Sequence, residues 1–170
     1  QLHNKILVGE YGNFVNRNLA FLVKKFKGII PVGTVDPDVI STIQEAYSKV
    51  GALIENAELR NAIQEIQQLV KYANKYYDEK QPWIQVKQDI SAFNDTTATC
   101  IALIVNIANL YEPFIPDSSN TVYNFFGISK PNWEYISVEP GATLNNVSIL
   151  FTRIDWLFSS LKKIEEESYN

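Results

Sequence analysis

The chain has 170 residues, 46% of them apolar and 20% charged, with a net charge of −4. That balance suits one well-packed domain and excludes disordered, collagen-like and coiled-coil readings. No uninterrupted apolar run reaches the roughly 18 residues of a membrane span, and one Cys with one His supplies neither a disulfide framework nor a Cys/His zinc site. A cytoplasmic, reducing setting is therefore expected, with no metal and no membrane. The absence of Met, even at position 1, leads us to expect a segment cut from a longer protein. Charge is distributed unevenly: residues 1–28 carry +4 and the remainder −8. A positive first element on an acidic body suits a local phosphate-facing surface, or simply a solvated helix end favoured by the helix dipole.

Helical periodicity runs through most of the sequence. From about Asn4 to Phe26, the residues Tyr11, Val15, Leu19, Leu22 and Phe26 recur at three- and four-residue steps, and Gly28 suits the left-handed position beyond a helix end. A second helix is predicted from Asp36-Pro37 to about Asn56, and a third from about Glu58 to Glu79, stopped by Pro82. After a polar stretch from Gln88 to Asp95, a fourth is expected over Thr96 to Tyr111. It is apolar on nearly every side, as a central helix should be, and Cys100 there reads as inert core filling. Pro116 to Gly127 reads as a short fifth helix. Residues 128–153 lack a period but include Trp133, Tyr135 and Ile136, so they are expected to form an ordered loop. A last helix is expected from about Asp155 to Glu167. The prediction is one all-α bundle over about 4–127, with a C-terminal loop and helix at about 128–167 packed back on it.

Catalytic constellations are missing. His3 has no nucleophile to partner it, none of the seven glycines forms a phosphate loop, and the pairs Asp36/Asp38 and Asp78/Glu79 are spaced like solvated helix ends. The sequons at Asn94 and Asn146 carry no weight without a secretory route.

Two features remain. On the first helix Asn13, Arg17, Ala20, Lys24 and Lys27 fall within about 40° of one line, opposite the apolar face. Asn13 and Arg17, one turn apart, suit hydrogen bonding to the edges of an unstacked base, or an ordinary polar face. In the run NKYYDEKQPW, from Asn74 to Trp83, an indole held at a helix-stopping Pro suits either a base-stacking platform or a core cap.

NKYYDEKQPW resembles the signature of the anticodon-binding helical domain of methionyl-tRNA synthetases, class I enzymes that attach methionine to its tRNA. YGNFVNRNLAFLVKKF, from Tyr11 to Phe26, is similar to the first helix of that domain, and ILFTRID, from Ile149 to Asp155, resembles its ending. Synthetases for Leu, Ile, Val and Cys share a similar bundle without this Trp motif. The resemblance implies a domain that reads the CAU anticodon of methionine tRNA. It implies base contacts from Asn13 and Arg17 and stacking by Trp83. Pro82 and Asn74 match positions that shape or border the pocket. Lys24 and Lys27 as phosphate contacts come from the stripe alone. Gln81 stands where Ala is commoner, and Thr152 where Pro is.

The HIGH and KMSKS motifs are absent, so the resemblance places catalysis, with ATP and Mg, in a catalytic domain upstream, and no cofactor in this chain. The competing expectation is a helical protein-interaction module that uses the first helix and Trp83. A stand-alone enzyme is not supported.

Overall fold

The computed structural model describes residues 2–146, with side chains from residue 9 onward. The C-terminal helix expected over 155–167, the Ile149–Asp155 run with Thr152, and the side chain of His3 lie outside the described residues. Six helices follow in order: α1 (Leu2–Phe26), α2 (Pro37–Glu55), α3 (Leu59–Lys80), α4 (Pro82–Gln88), α5 (Ile90–Tyr111) and α6 (Pro116–Phe126). The fold is all-α, and its one β-type contact among the described residues is an isolated antiparallel bridge between Ile29 and Thr143.

The helix ends follow from local chemistry. Asp36 caps α2, its carboxylate accepting from the Asp38 amide at 2.9 Å, with Pro37 in the first turn where no N–H is needed. Lys27 and Gly28 both take positive φ after α1, and Gly127 does so after α6. Pro82 ends α3 and also opens α4, a short helix that the sequence reading did not anticipate.

A second correction concerns α5, which starts at Ile90 rather than Thr96. The polar stretch is the end of α4 together with a capped, solvent-facing first turn of α5, where the Asp89 carboxylate accepts from the Ala92 amide at 3.1 Å. Only Phe93 in that turn is buried, and so the run looks polar in sequence.

Helix α5 is the centre of the bundle, packed by α1, α2, α3, α4 and α6. Every residue from Thr99 to Tyr111 is buried. It is long and apolar enough to cross a membrane by composition, but 67% of its most apolar window is covered by the fold, as in a core helix. Cys100 is buried there, and burial pushes its thiol well above the ordinary range, so the reactive thiolate is suppressed.

Two buried asparagines in this apolar helix hold the segment after α6. Asn106 accepts from the Tyr47 hydroxyl at 2.7 Å and the Ile136 amide at 2.8 Å, and donates to the Ile136 carbonyl at 3.0 Å. Asn109 donates to the Asn132 carbonyl at 2.7 Å and to Tyr47 at 3.0 Å. Trp133 adds an indole N–H bond to the Tyr47 carbonyl at 3.1 Å and packs edge-on against its ring. The segment then pairs with the α1–α2 linker through Ile30 and Leu144. Residues 128–146 are thus an ordered strap.

Candidate nucleic-acid interface

The corner between α3 and α4 is formed by one residue. Gln81 has φ 52° and ψ 61°, a left-handed conformation that turns the chain without a glycine. Its amide still bonds back to the Tyr77 carbonyl at 3.0 Å, so the last turn of α3 is closed. Pro82 follows and is buried, whereas Trp83 is 40% exposed. The turn therefore seats the proline ring in the fold and leaves part of the indole facing water.

Helix α1 lies across the end of α3. The Arg17 guanidinium rests over the Tyr77 ring, with Cζ 4.2 Å from the centroid, and its Nη2 donates to Asp78 Oδ1 at 3.0 Å. Tyr77 in turn packs against Trp83, centroids 5.6 Å apart and planes tilted 40°, while Phe14 meets Tyr77 edge-on at 6.3 Å. Burial raises the Tyr77 hydroxyl pKa, and the adjacent Arg17 charge partly opposes that rise. The Arg17–Asp78 pair is solvent-accessible on both sides, so its contribution to stability is small, about 0–1 kcal/mol.

Two hollows meet at Arg17. One is an open groove of about 620 Å³ between α1 and α3, where Asn13, Arg17 and Asn74 face the same space. Lys71 and Lys75 line it too, balanced by Glu10, Asp78 and Glu79. The other is a narrow crevice beside Trp83, bounded by Arg17, Asn18, Phe21 and Pro82. Asn13 is exposed, and no hydrogen bond is made by its side chain among the described residues. The Asn74 amide donates to the Val70 carbonyl of its own helix at 3.2 Å, which fixes its orientation at the groove wall.

The structure therefore brings together Asn13, Arg17 and Asn74 in the groove, and Arg17, Pro82 and Trp83 in the crevice. It does not bring Lys24 and Lys27 to either. Lys24 is exposed two turns beyond Arg17 on α1. Lys27 departs from the predicted line, because α1 ends at Phe26 and Lys27 already has φ 56°. Four residues escaped the sequence reading. Tyr77 was assigned to the core stripe and Asp78 to a solvated helix end, yet both hold Arg17. Lys71 and Lys75, one turn apart and flanking Asn74, share the groove face of α3, a spacing that would have found them.

Residues 30–170 match the family model of the anticodon binding domain of methionyl tRNA ligase. The chain belongs to that family. This anticodon-binding domain is 42% identical over 165 residues to the methionine–tRNA ligase of Bacillus cereus (strain B4264) and 39% identical to that of Streptococcus pneumoniae (strain CGSP14). Each match covers 97% of the chain and 29% of the relative, so the domain spans under a third of the length of the curated ligases it matches. Its fold is shared with apo methionyl-tRNA synthetase of Mycobacterium tuberculosis, with a TM-score of 0.75 and 23% identity over 84% of this chain and 31% of that one. The methionyl-adenylate-bound form of the same enzyme gives a TM-score of 0.74 and 24% identity, over 83% of this chain and 30% of that one.

Proposed function

We propose that this domain recognises the CAU anticodon loop of methionine tRNA on behalf of a methionine–tRNA ligase. The catalytic domain of that ligase, elsewhere in the parent chain, would use ATP with Mg to attach methionine in the cytoplasm. The observation that carries the reading is the position of Arg17. It lines the open groove, which has room for a splayed base, with Asn13 and Asn74, and the crevice with Pro82 and Trp83, so hydrogen-bonding groups and an exposed aromatic surface lie on either side of one guanidinium. In this reading Trp83 stacks on an anticodon base, Asn13 and Arg17 bond base edges, and Asn74 with Pro82 shapes the pocket. Lys71 and Lys75 meet backbone phosphates near the groove, and Lys24 with Lys27 does so further along α1. No particular observation favours the protein-interaction alternative.

Equilibrium titration with anticodon stem-loops, CAU and one-base variants, at several salt concentrations tests the reading. Alanine at Arg17 or Asn13 should cut affinity for CAU and shrink discrimination by ~1–3 kcal/mol, the worth of a bidentate base contact. Alanine at a phosphate-contacting Lys should weaken all stem-loops alike and flatten the salt slope by about 0.7 per lost single-strand contact. An Arg17→Ala variant that lowers every affinity equally, with a reduced salt slope, would make Arg17 a phosphate clamp and refute its assigned role.

A further inference from the structure

We infer that Tyr77 is a positioning residue that couples the base-edge reader to the stacking surface. The inference rests on the anticodon-reading proposal for Arg17 and Trp83, and adds a residue that touches no base in it. Arginine is long and costly to order, and Arg17 projects from a different helix than Trp83. Tyr77 touches both: the guanidinium carbon stands 4.2 Å from its ring centroid and the indole centroid 5.6 Å away.

The ring itself is fixed. Tyr77 is 7% exposed, Phe14 meets it edge-on at 82°, and the Gln81 amide closes the helical turn onto its carbonyl. Asp78, next in the chain, takes Nη2 at 3.0 Å and so sets the in-plane direction of the fork, while the ring sets its plane. A guanidinium held on a rigid aromatic face loses less freedom when it meets a base edge. The indole packed on that same ring keeps a set distance from it. Core packing alone would need any apolar side chain of similar volume at this position; positioning needs a flat ring.

The test contrasts Tyr77→Phe, which keeps the ring, with Tyr77→Leu, which keeps only apolar bulk, in the 170-residue chain. Tyr77→Phe should bind the CAU stem-loop like the parent sequence. Tyr77→Leu should weaken it about tenfold and reduce the CAU preference, the scale of losing one well-placed cation–ring contact. The loss should largely vanish in an Arg17→Ala background, because the two residues act as a unit.

A measurement without RNA is independent of function. The Arg17 Nε–Hε resonance, assigned with Arg17→Lys, should be shifted upfield by the ring relative to exposed Arg60, unchanged in Tyr77→Phe, and shifted back in Tyr77→Leu. An Arg17 resonance matching that of Arg60 in the unmutated chain would overturn the inference, even if Tyr77→Leu does not fold. Equal losses for Phe and Leu, or full additivity with Arg17→Ala, would overturn it as well. Should Arg17→Ala leave the CAU preference intact, the reading of Arg17 fails, while the resonance still decides whether Tyr77 orients the guanidinium.

Discussion

Replacing Trp83 separates two uses of one side chain. The indole is 40% exposed, so about three fifths of a surface of roughly 250 Å² is covered, with the Tyr77 ring among the groups that cover it. At about 25 cal/mol per Å², some 150 Å² corresponds to ~4 kcal/mol, an upper bound because unfolded chains already hide part of that area. Trp83→Ala should therefore destabilise the domain by ~2–3 kcal/mol, lowering Tm by roughly 5–10 °C at this size. The same change should remove a stacked base, worth ~1–3 kcal/mol of RNA affinity. Trp83→Leu distinguishes the two losses. Leucine refills much of the apolar contact with Tyr77 but offers no π face, so Tm should recover most of the way while affinity for the CAU stem-loop stays close to that of Trp83→Ala. Thermal unfolding by circular dichroism, and titration well below either melting point, measure the pair. Wild-type affinity in Trp83→Leu would refute stacking and leave Trp83 a partial cap of the core.

Three further outcomes are expected. Gly33→Ala should destabilise by ~1–3 kcal/mol, since an added Cβ would run into the Asn94 carbonyl and approach the Asp95 amide at 2.8 Å, both backbone atoms that cannot swing aside; denaturant unfolding measures it. Asn106→Leu should cost ~3–5 kcal/mol by unpairing both polar groups of Ile136 and removing the side-chain acceptor of the Tyr47 hydroxyl, which keeps its bond from Asn109, and amide exchange at Ile136 should accelerate while the α1–α3 groove keeps its affinity for the stem-loop. Stability should be level from neutral pH to about 8, begin to fall as Cys100 of the unfolded chain ionises at about 8.5, and fall more steeply above about 10 as its tyrosines follow. The sign follows because burial holds Tyr11, Tyr47, Tyr111 and Tyr123 neutral well above their ordinary range, and Tyr76 up to about 12, whereas the unfolded chain ionises near 10 and so binds fewer protons there. Tyr47→Phe should flatten that fall in chemical denaturation across pH.

Local patterns were enough for α1, α2 and α3, which carry apolar stripes bounded by Gly28, Asp36-Pro37 or Pro82, and for α6, which Pro116 and Gly127 delimit. Helix α4 escaped because seven residues barely complete two turns, too few for a period to register. The strap was legible as ordered from Trp133, Tyr135 and Ile136, but not its anchors. Asn106 and Asn109 sit in a run so apolar that they read as exceptions, yet they supply the polar contacts that a buried, periodless segment needs for its backbone. At the candidate site, spacing and resemblance singled out Asn13, Arg17, Asn74, Pro82 and Trp83, which line the two hollows that meet at Arg17. The contact between Arg17 and the Tyr77-Asp78 pair joins residues about 60 positions apart on two helices, and no single-helix pattern encodes it. Lys27 leaves the predicted line for the opposite reason: a helical projection was extended one residue past the point where the backbone leaves the helix, whereas Lys24 keeps its place on α1.

The conformation of Gln81 connects fold to site. A glycine would take φ 52° more easily, and a non-glycine there costs roughly 1–2 kcal/mol. That cost is offset locally, because the Gln81 amide and carbonyl both keep helical partners, Tyr77 behind and Ile84 and Gln85 ahead. The chain thus changes direction at a single residue without leaving backbone groups unpaired, and a buried Pro82 restricts the next φ. Trp83 follows immediately, so its orientation depends on two restricted residues rather than on a loop. Arg17 is restrained from the other side by the Tyr77 ring and the Asp78 carboxylate, both in the last turns before that corner. The groove between α1 and α3 therefore presents an amide at Asn13 beside a restrained guanidinium, and the crevice on the other side of that guanidinium presents an indole at a set angle. The guanidinium and the indole are ordered by the folding of the bundle, so little of their freedom is left to lose on binding, whereas the exposed Asn13 amide has still to be ordered.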